Sequence, residues 1–303
     1  MPGAERPTLY AIQAAFVGAV YAFGKGLQSK GVALLAEASN RAIEAGLHRN
    51  ADSYDWFDPI QDQIRKRTFW CIYVWDKHAS AQFGRIPTLR LRDCDCDLPA
   101  LVTDEQITLD TLNLQSSNID TLMGAFSCMC QLGIVLEGVL DTPPSRVHTD
   151  QPGSFLSRAT VVCAGMKQNS DLVAEEALLE EAIQTIPAHW RYSSDTLSSG
   201  DIVRISQAER LHCFASYIRM LIYRRRFSIR AAKRVDHGIE GPQTEEERRA
   251  IHGVHAAASE IVAVHQSAVD RGLVTYCMFP LVFRSLHAHA MQTESTTCIS
   301  SSR

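Results

Sequence analysis

Residues 65–99 read RKRTFWCIYVWDKHASAQFGRIPTLRLRDCDCDLP, and their order decides the fold: a basic triplet, an aromatic run, an internal acid, a Gly-Arg turn and an acidic extended tail. The first half belongs to one long helix. Ile60, Ile64, Cys71, Trp75 and Ala79 follow one another at offsets of four, seven, four and four, which keeps them on a single stripe of a 3.6-residue repeat. Phe69, Trp70, Ile72, Tyr73 and Val74 fill other faces. The second half of the helix is therefore expected to be buried nearly all round, with Trp70 and Trp75 both in the core. Asp58 and Pro59 suit an N-cap and the first helical position, and Gly84 and Pro87 stop the helix.

Working outward, helical periodicity recurs near residues 7–24, 30–47, 118–140, 155–184, 202–230, 244–270 and 273–291. TPPSRVHTDQPGS after Asp141 and DHGIEGPQ after Val235 read as surface connections, because proline, glycine and short polar residues cluster there. No alternating strand series, internal repeat or long low-complexity run is present. The expectation is an all-α, multi-helical domain over residues 1–292, with room for a division into two lobes near residue 145. The polar tail TESTTCISSSR, residues 293–303, is expected to be disordered.

The chain of 303 residues is 46% hydrophobic, enough for a sizeable core. Its formal charge of −4 gives no global attraction to phosphate, so any basic surface has to be local. Leu9 to Phe23 is apolar enough to imitate a signal peptide, but Gln13 interrupts it and Glu5 stands beside Arg6. It is also too short for a membrane span, and a buried helix is expected instead. Nine cysteines without a scaffold-like rhythm suit reduced thiols inside a cell.

The central stretch resembles the regulatory, or middle homology, domain of fungal zinc-cluster transcription factors. The residues carrying the resemblance are Gly46, Leu47, His48 and Arg49, then Arg65, Lys66, Arg67, Phe69, Trp70, Tyr73, Asp76, Gly84, Arg85, Pro87, Asp93, Asp95 and Pro99. RKRTFW and LRDCD are worded as in the branch that regulates cutinase and xylanase genes. Weaker likenesses extend the match to roughly residues 8–292, including the paired Ala257 and Ala258 and Pro280 in the next helix. Departures are Ile86, where relatives often have a proline, and Gln61 and Gln63, where they have acids. The resemblance implies transcription regulation in the nucleus. It also implies a small-molecule effector or protein partner, room for a homodimer, and no membrane.

In that family a separate module reads DNA through six cysteines holding two zinc ions, with C-x2-C pairs. None of Cys71, Cys94, Cys96, Cys128, Cys130, Cys163, Cys213, Cys277 and Cys298 forms such a pair. No cofactor is therefore expected in this chain, zinc belonging to the missing module, and DNA is expected to be reached only through that module. The chain reads as the regulatory half of a longer protein, a truncated product or a stand-alone relative.

The remaining candidates have plain readings. In the extended Asp93-Cys94-Asp95-Cys96-Asp97 run alternate residues face opposite ways, so thiols tucked inward beneath an acidic face are expected rather than a metal site. His252 with His255 and His287 with His289 are loose pairs lacking a matching acid or cysteine cluster. Asp76, inside the aromatic helix, needs a cation or donor, and Arg85 on the following turn is the expected partner. Arg219, Arg224, Arg225, Arg226, Arg230, Lys233 and Arg234 form the one dense basic patch, expected to be a solvated helix end. Phosphate-loop spacing, an H-E-x-x-H helix and a G-x-S-x-G elbow are all missing from the sequence, so no enzyme is expected. A stand-alone interaction protein and an all-helical enzyme are the alternatives.

Overall fold

A computed structural model describes residues 7–50, 57–114, 118–141, 171–238 and 242–272. It contains helices α1 (Leu9–Gly24), α2 (Gln28–Glu44), α3 (Pro59–Phe83), α4 (Leu122–Leu140), α5 (Val173–Thr185), α6 (Ser194–Ser198), α7 (Ile202–Asp236) and α8 (Glu245–Asp270). The 3-10 turns Leu91–Asp93, Asp104–Gln106 and Ala188–Trp190 lie between them among the described residues. The only β pairing among the described residues is one isolated bridge, Ile107 to Leu112. The all-α expectation holds. The helix expected over 273–291 and the polar tail lie outside the described residues, as do the connection after Asp141 and the lobe division near residue 145.

Helix boundaries follow local chemistry. Asp58 caps α3 by accepting from the Gln61 N–H at 2.8 Å, with Pro59 at the first turn. Thr244 and Glu247 close a reciprocal capping box at the start of α8. At the end of α2, Gly46 takes φ +71°, and the Gly46 and Leu47 N–H groups donate back to the Ile43 and Ala42 carbonyls. That double closure leaves Leu47 buried beneath the helix end.

α1 and α2 pair and lean on α3; α3 packs on α4; α4 also meets α5 and α7; α7 carries α8 along its length. α4 is thus the hub, and its length and apolar composition, sufficient to cross a membrane, go with burial of more than half of it inside the protein. One core cluster takes in residues from α1 to α8. α7, at 35 residues, is longer than its periodicity predicted, and near its end Arg230 and Arg234 pair with Glu246 and Glu247 of α8.

The stripe that defined α3 is not its most buried face. Ile64 is exposed, Cys71 and Trp75 are only partly buried, and Trp70 is the tryptophan that reaches the core. Phe69, Ile72, Tyr73, Asp76, Lys77 and Ser80 fill the interior beside it. Periodicity located the helix but not its orientation, since its second half is apolar on nearly every side.

Candidate functional site

The motif residues converge on one crossing, where the extended segment after α3 doubles back over α2, α3 and α4. Arg65 reaches across to donate to the Ala45 and Gly46 carbonyls at 3.2 and 3.1 Å, clasping the end of α2. Lys66 pairs with Asp62 at 3.0 Å, and Arg67 meets Asp104 and the Val102 carbonyl. Trp70 donates its indole N–H to the Asp97 carbonyl at 2.8 Å while Phe69 lies wholly buried beside it. Asp95 accepts from the Asn50 N–H at 2.9 Å and stands 3.8 Å from Arg49. The Asp95 N–H itself donates to the His48 carbonyl. Gln63, which replaces a family acid, is buried and accepts from the Ala100 N–H at 2.9 Å beside the buried Pro99. Arg67 and Trp70 thus fix the returning segment, Arg65 fixes the end of α2, and Lys66 pairs within α3.

Beneath this crossing lies a charge cluster. The Lys77 ammonium, with no solvent exposure, sits 3.1 Å from Asp76 Oδ2 and 3.1 Å from Glu137 Oε2, donates to the Leu89 carbonyl, and lies 4.5 Å from the Tyr73 ring centre. Asp76 accepts from the Thr88 and Leu89 N–H groups at 3.0 Å each. Glu137 accepts from the Tyr73 hydroxyl at 2.7 Å and the Leu91 N–H at 2.9 Å. Burial alone would raise the Glu137 carboxyl, but the Lys77 charge and those hydrogen bonds outweigh it and hold it below the ordinary range. Burial and the hydrogen bond to Glu137 push the Tyr73 phenol far upward, so it serves as a donor and not as a base. The cluster clips the 88–91 segment to α3 and α4 at once.

The expected Asp76–Arg85 pair is not there. Gly84 takes φ +66° and turns the chain outward, leaving Arg85 exposed, while Asp76 is met by its neighbour Lys77 and by main-chain N–H groups arriving after Pro87. Sequence reasoning missed Lys77 and Glu137. One signal was available: Glu137 is the only charged residue in α4, and a lone carboxylate in an apolar helix requires a cation or donors.

The 93–97 run is arranged as expected, with Asp93, Asp95 and Asp97 exposed, Cys96 buried and Cys94 partly so. Among the described residues no three histidine, cysteine or acidic side chains group as a metal site. His252 and His255 sit on α8 as helix residues, and His287 and His289 lie outside the described residues. The basic patch differs from its expected role. Arg219 pairs with Glu180 at 2.7 Å, Arg226 with Glu176 at 2.6 Å, Arg230 with Glu246 at 3.4 Å and Arg234 with the buried Glu247 at 3.4 Å. These cations rivet α7 to α5 and α8 because acids on the neighbouring helices face them. An end-of-helix position could not reveal that.

On the other side of α3 a cavity of about 320 Å³ opens between α3, α4 and α7. Cys71, Trp75 and His78 come from α3, Phe126 and Met129 from α4, and Gln207, Arg210, Cys213 and Phe214 from α7. Cys71 and Trp75 of the stripe read as core-facing form part of its α3 wall. Burial pushes the Cys71 thiol up to about 11 and the Cys213 thiol to about 12, so both sulfurs stay protonated and inert near neutrality. Burial, reinforced by Arg210, holds the His78 imidazole down to about 4, hence neutral.

The comparisons with known proteins fit this architecture. The family described as "fungal specific transcription factor domain" matches residues 3–156. Among curated proteins the chain is similar to Activator of stress genes 1 of Saccharomyces cerevisiae, 37% identical over 71 residues, covering 23% of this chain and 7% of that protein. It is 33% identical over 100 residues to Probable transcription factor FUP6 of Fusarium proliferatum, covering 32% of this chain and 14% of that protein. An uncharacterized transcriptional regulatory protein of Schizosaccharomyces pombe is 30% identical over 95 residues, covering 31% and 15%. The matched segments thus span a small fraction of these relatives' length. No solved structure matches. With the matched region spanning half of the chain and taking in the clasp, the charge cluster and the α3 and α4 walls of the cavity, the chain belongs to the fungal specific transcription factor domain family.

Proposed function

We propose that this chain is the regulatory domain of a nuclear transcription regulator, sensing a small effector without catalysing a reaction and acting on a zinc-cluster DNA reader. The single observation that carries this reading is the cavity wedged between α3, α4 and α7. Its α3 wall belongs to the same helix whose other face holds the buried Lys77 cluster and the returning segment. A molecule filling the cavity presses on a helix that is rigidly tied on its far side, so it favours one disposition of α7 against α3 over another. It regulates only to the extent that it binds those two dispositions with different affinity.

The test is to fuse the chain to an unrelated DNA-binding domain in a yeast reporter strain and compare it with Met129→Trp, which fills the cavity. The expected result is altered reporter output in the filled variant at equal protein level. Equal output from the two, with no response to any added small molecule, would remove effector sensing from the reading.

A further inference from the structure

We infer that the cavity between α3, α4 and α7 is a site for a small apolar carboxylic acid, its ring or chain against Trp75, Phe126 and Met129 and its carboxylate on Arg210. This rests on the effector-sensing reading and names the ligand class. The walls are mainly aromatic or aliphatic, and at about 320 Å³ the volume lies at the small end of ligand pockets. Arg210 is partly buried, and its guanidinium has no hydrogen-bond or ion-pair partner among the described residues, nor does any carboxylate line the cavity. That sets it apart from Arg219, Arg226, Arg230 and Arg234 on the same helix, each paired with an acid.

A planar guanidinium at an apolar wall offers a two-pronged donor to a carboxylate and penalises a ligand that leaves it unpaired. Gln207, one helical turn before it and also without a partner among the described residues, adds an amide N–H donor. The neutral His78 adds no second charge, so one anionic group suffices. The larger cavity of about 430 Å³ beside Trp190 is a weaker candidate, because its Arg219 is already paired with Glu180 at 2.7 Å and the carboxylate of Glu260 lines it.

Calorimetric titration of the full chain with 2-naphthoate, indole-3-acetate and octanoate, each against its primary amide, tests this at physiological salt. At least one acid should bind below about 1 mM and about ten- to a hundredfold more tightly than its amide, the discrimination expected of a charge-assisted hydrogen bond. Arg210→Gln should bring that acid down to its amide's affinity while leaving amide binding unchanged, which also shows that the variant is folded. Arg224→Gln, an exposed cation on the same helix, should change nothing. Met129→Trp should abolish both. Equal affinity for acid and amide, insensitivity to Arg210→Gln, or no binding by any of the three acids would overturn the assignment. Acid binding without any reporter response would sink effector sensing and leave the site standing. A reporter response to the neutral amides alone would do the reverse.

Discussion

At the scale of single residues, the interior is governed by one ammonium shared between two carboxylates. Removing it leaves Asp76 and Glu137 buried without their cation, and breaking a buried ion pair from one side typically costs about 3–5 kcal/mol. Lys77→Met is expected to lose that much in chemical denaturation. Arg85→Ala should stay within about 0.5 kcal/mol, because Arg85 is exposed. A double-mutant cycle between Asp76 and Arg85 should then be additive, and coupling above about 0.5 kcal/mol would mean the turn folds back on the acid. Trp70→Ala should cost about 3–5 kcal/mol and Trp75→Ala less, since Trp75 already borders a cavity. His78 contributes most clearly to the acid limb of stability, with His48 and His212 lowered by burial in the same direction. Unfolded, His78 takes a proton near 6.5, whereas in the fold it does so only near 4. Between those values the unfolded chain binds more protons, so this stabilisation is complete above pH 6.5 and is lost as pH falls towards 4. Glu137, held below the ordinary range, adds a further loss that begins as pH falls past the ordinary carboxylate value of 4.5. Melting curves from pH 7.5 to 4 should fall, and His78→Phe should make the stretch between 6.5 and 4 shallower. An unchanged slope would place the proton elsewhere.

At the scale of elements, close helix contacts are made by residues too small for composition to flag. A Cβ on Gly253 of α8 would lie 2.6 Å from the Tyr223 ring of α7, and one on Gly31 of α2 would lie 2.7 Å from Phe23 of α1. Gly253→Ala is expected to cost about 1–3 kcal/mol by overpacking, and Tyr223→Leu in the same chain should recover part of it. Full recovery of the wild-type midpoint by Gly253→Ala alone would show that α7 and α8 slide freely. The same contrast explains what was legible in the sequence. Asp58-Pro59 and Gly84 bound α3 correctly, because capping is decided within a few residues. The clasp residues were recognisable as a set, yet their partners are carbonyls of Ala45, Gly46, Asp97 and Val102, and main-chain acceptors leave no residue-specific mark. The wrong partner for Asp76 came from taking nearness in sequence as contact, when a left-handed Gly84 carries Arg85 away. The cavity was illegible for a different reason. Its walls come from three helices spanning residues 71 to 214, and its residue types are those of an ordinary core.

At the scale of the whole molecule, electrostatics bear on whether this chain touches DNA by itself. Its formal charge is −4, and the one dense basic stretch, on α7, is largely spent on Glu176, Glu180, Glu246 and Glu247. Phosphate contacts would have to break those pairs. Non-specific binding scales with the number of phosphates neutralised, and typical values at physiological salt lie at about 10⁻⁴ to 10⁻⁶ M. With most of its arginines already paired, the chain belongs at or beyond the weak end of that range. Specific readers gain about a thousandfold or more over their own non-specific binding, through side chains held against base edges. No described element presents such a set, since Arg219, Arg226, Arg230 and Arg234 of α7 are held by acids of neighbouring helices and Arg224 is left exposed. Residues 1–303, titrated against a pool of random duplexes with selection and sequencing of what is retained, should therefore yield no enriched motif. Such binding as remains should vanish between about 50 and 200 mM salt. An enriched sequence bound about a hundredfold more tightly than scrambled DNA would mean that the helix pairings open on DNA, and that this domain reads bases itself.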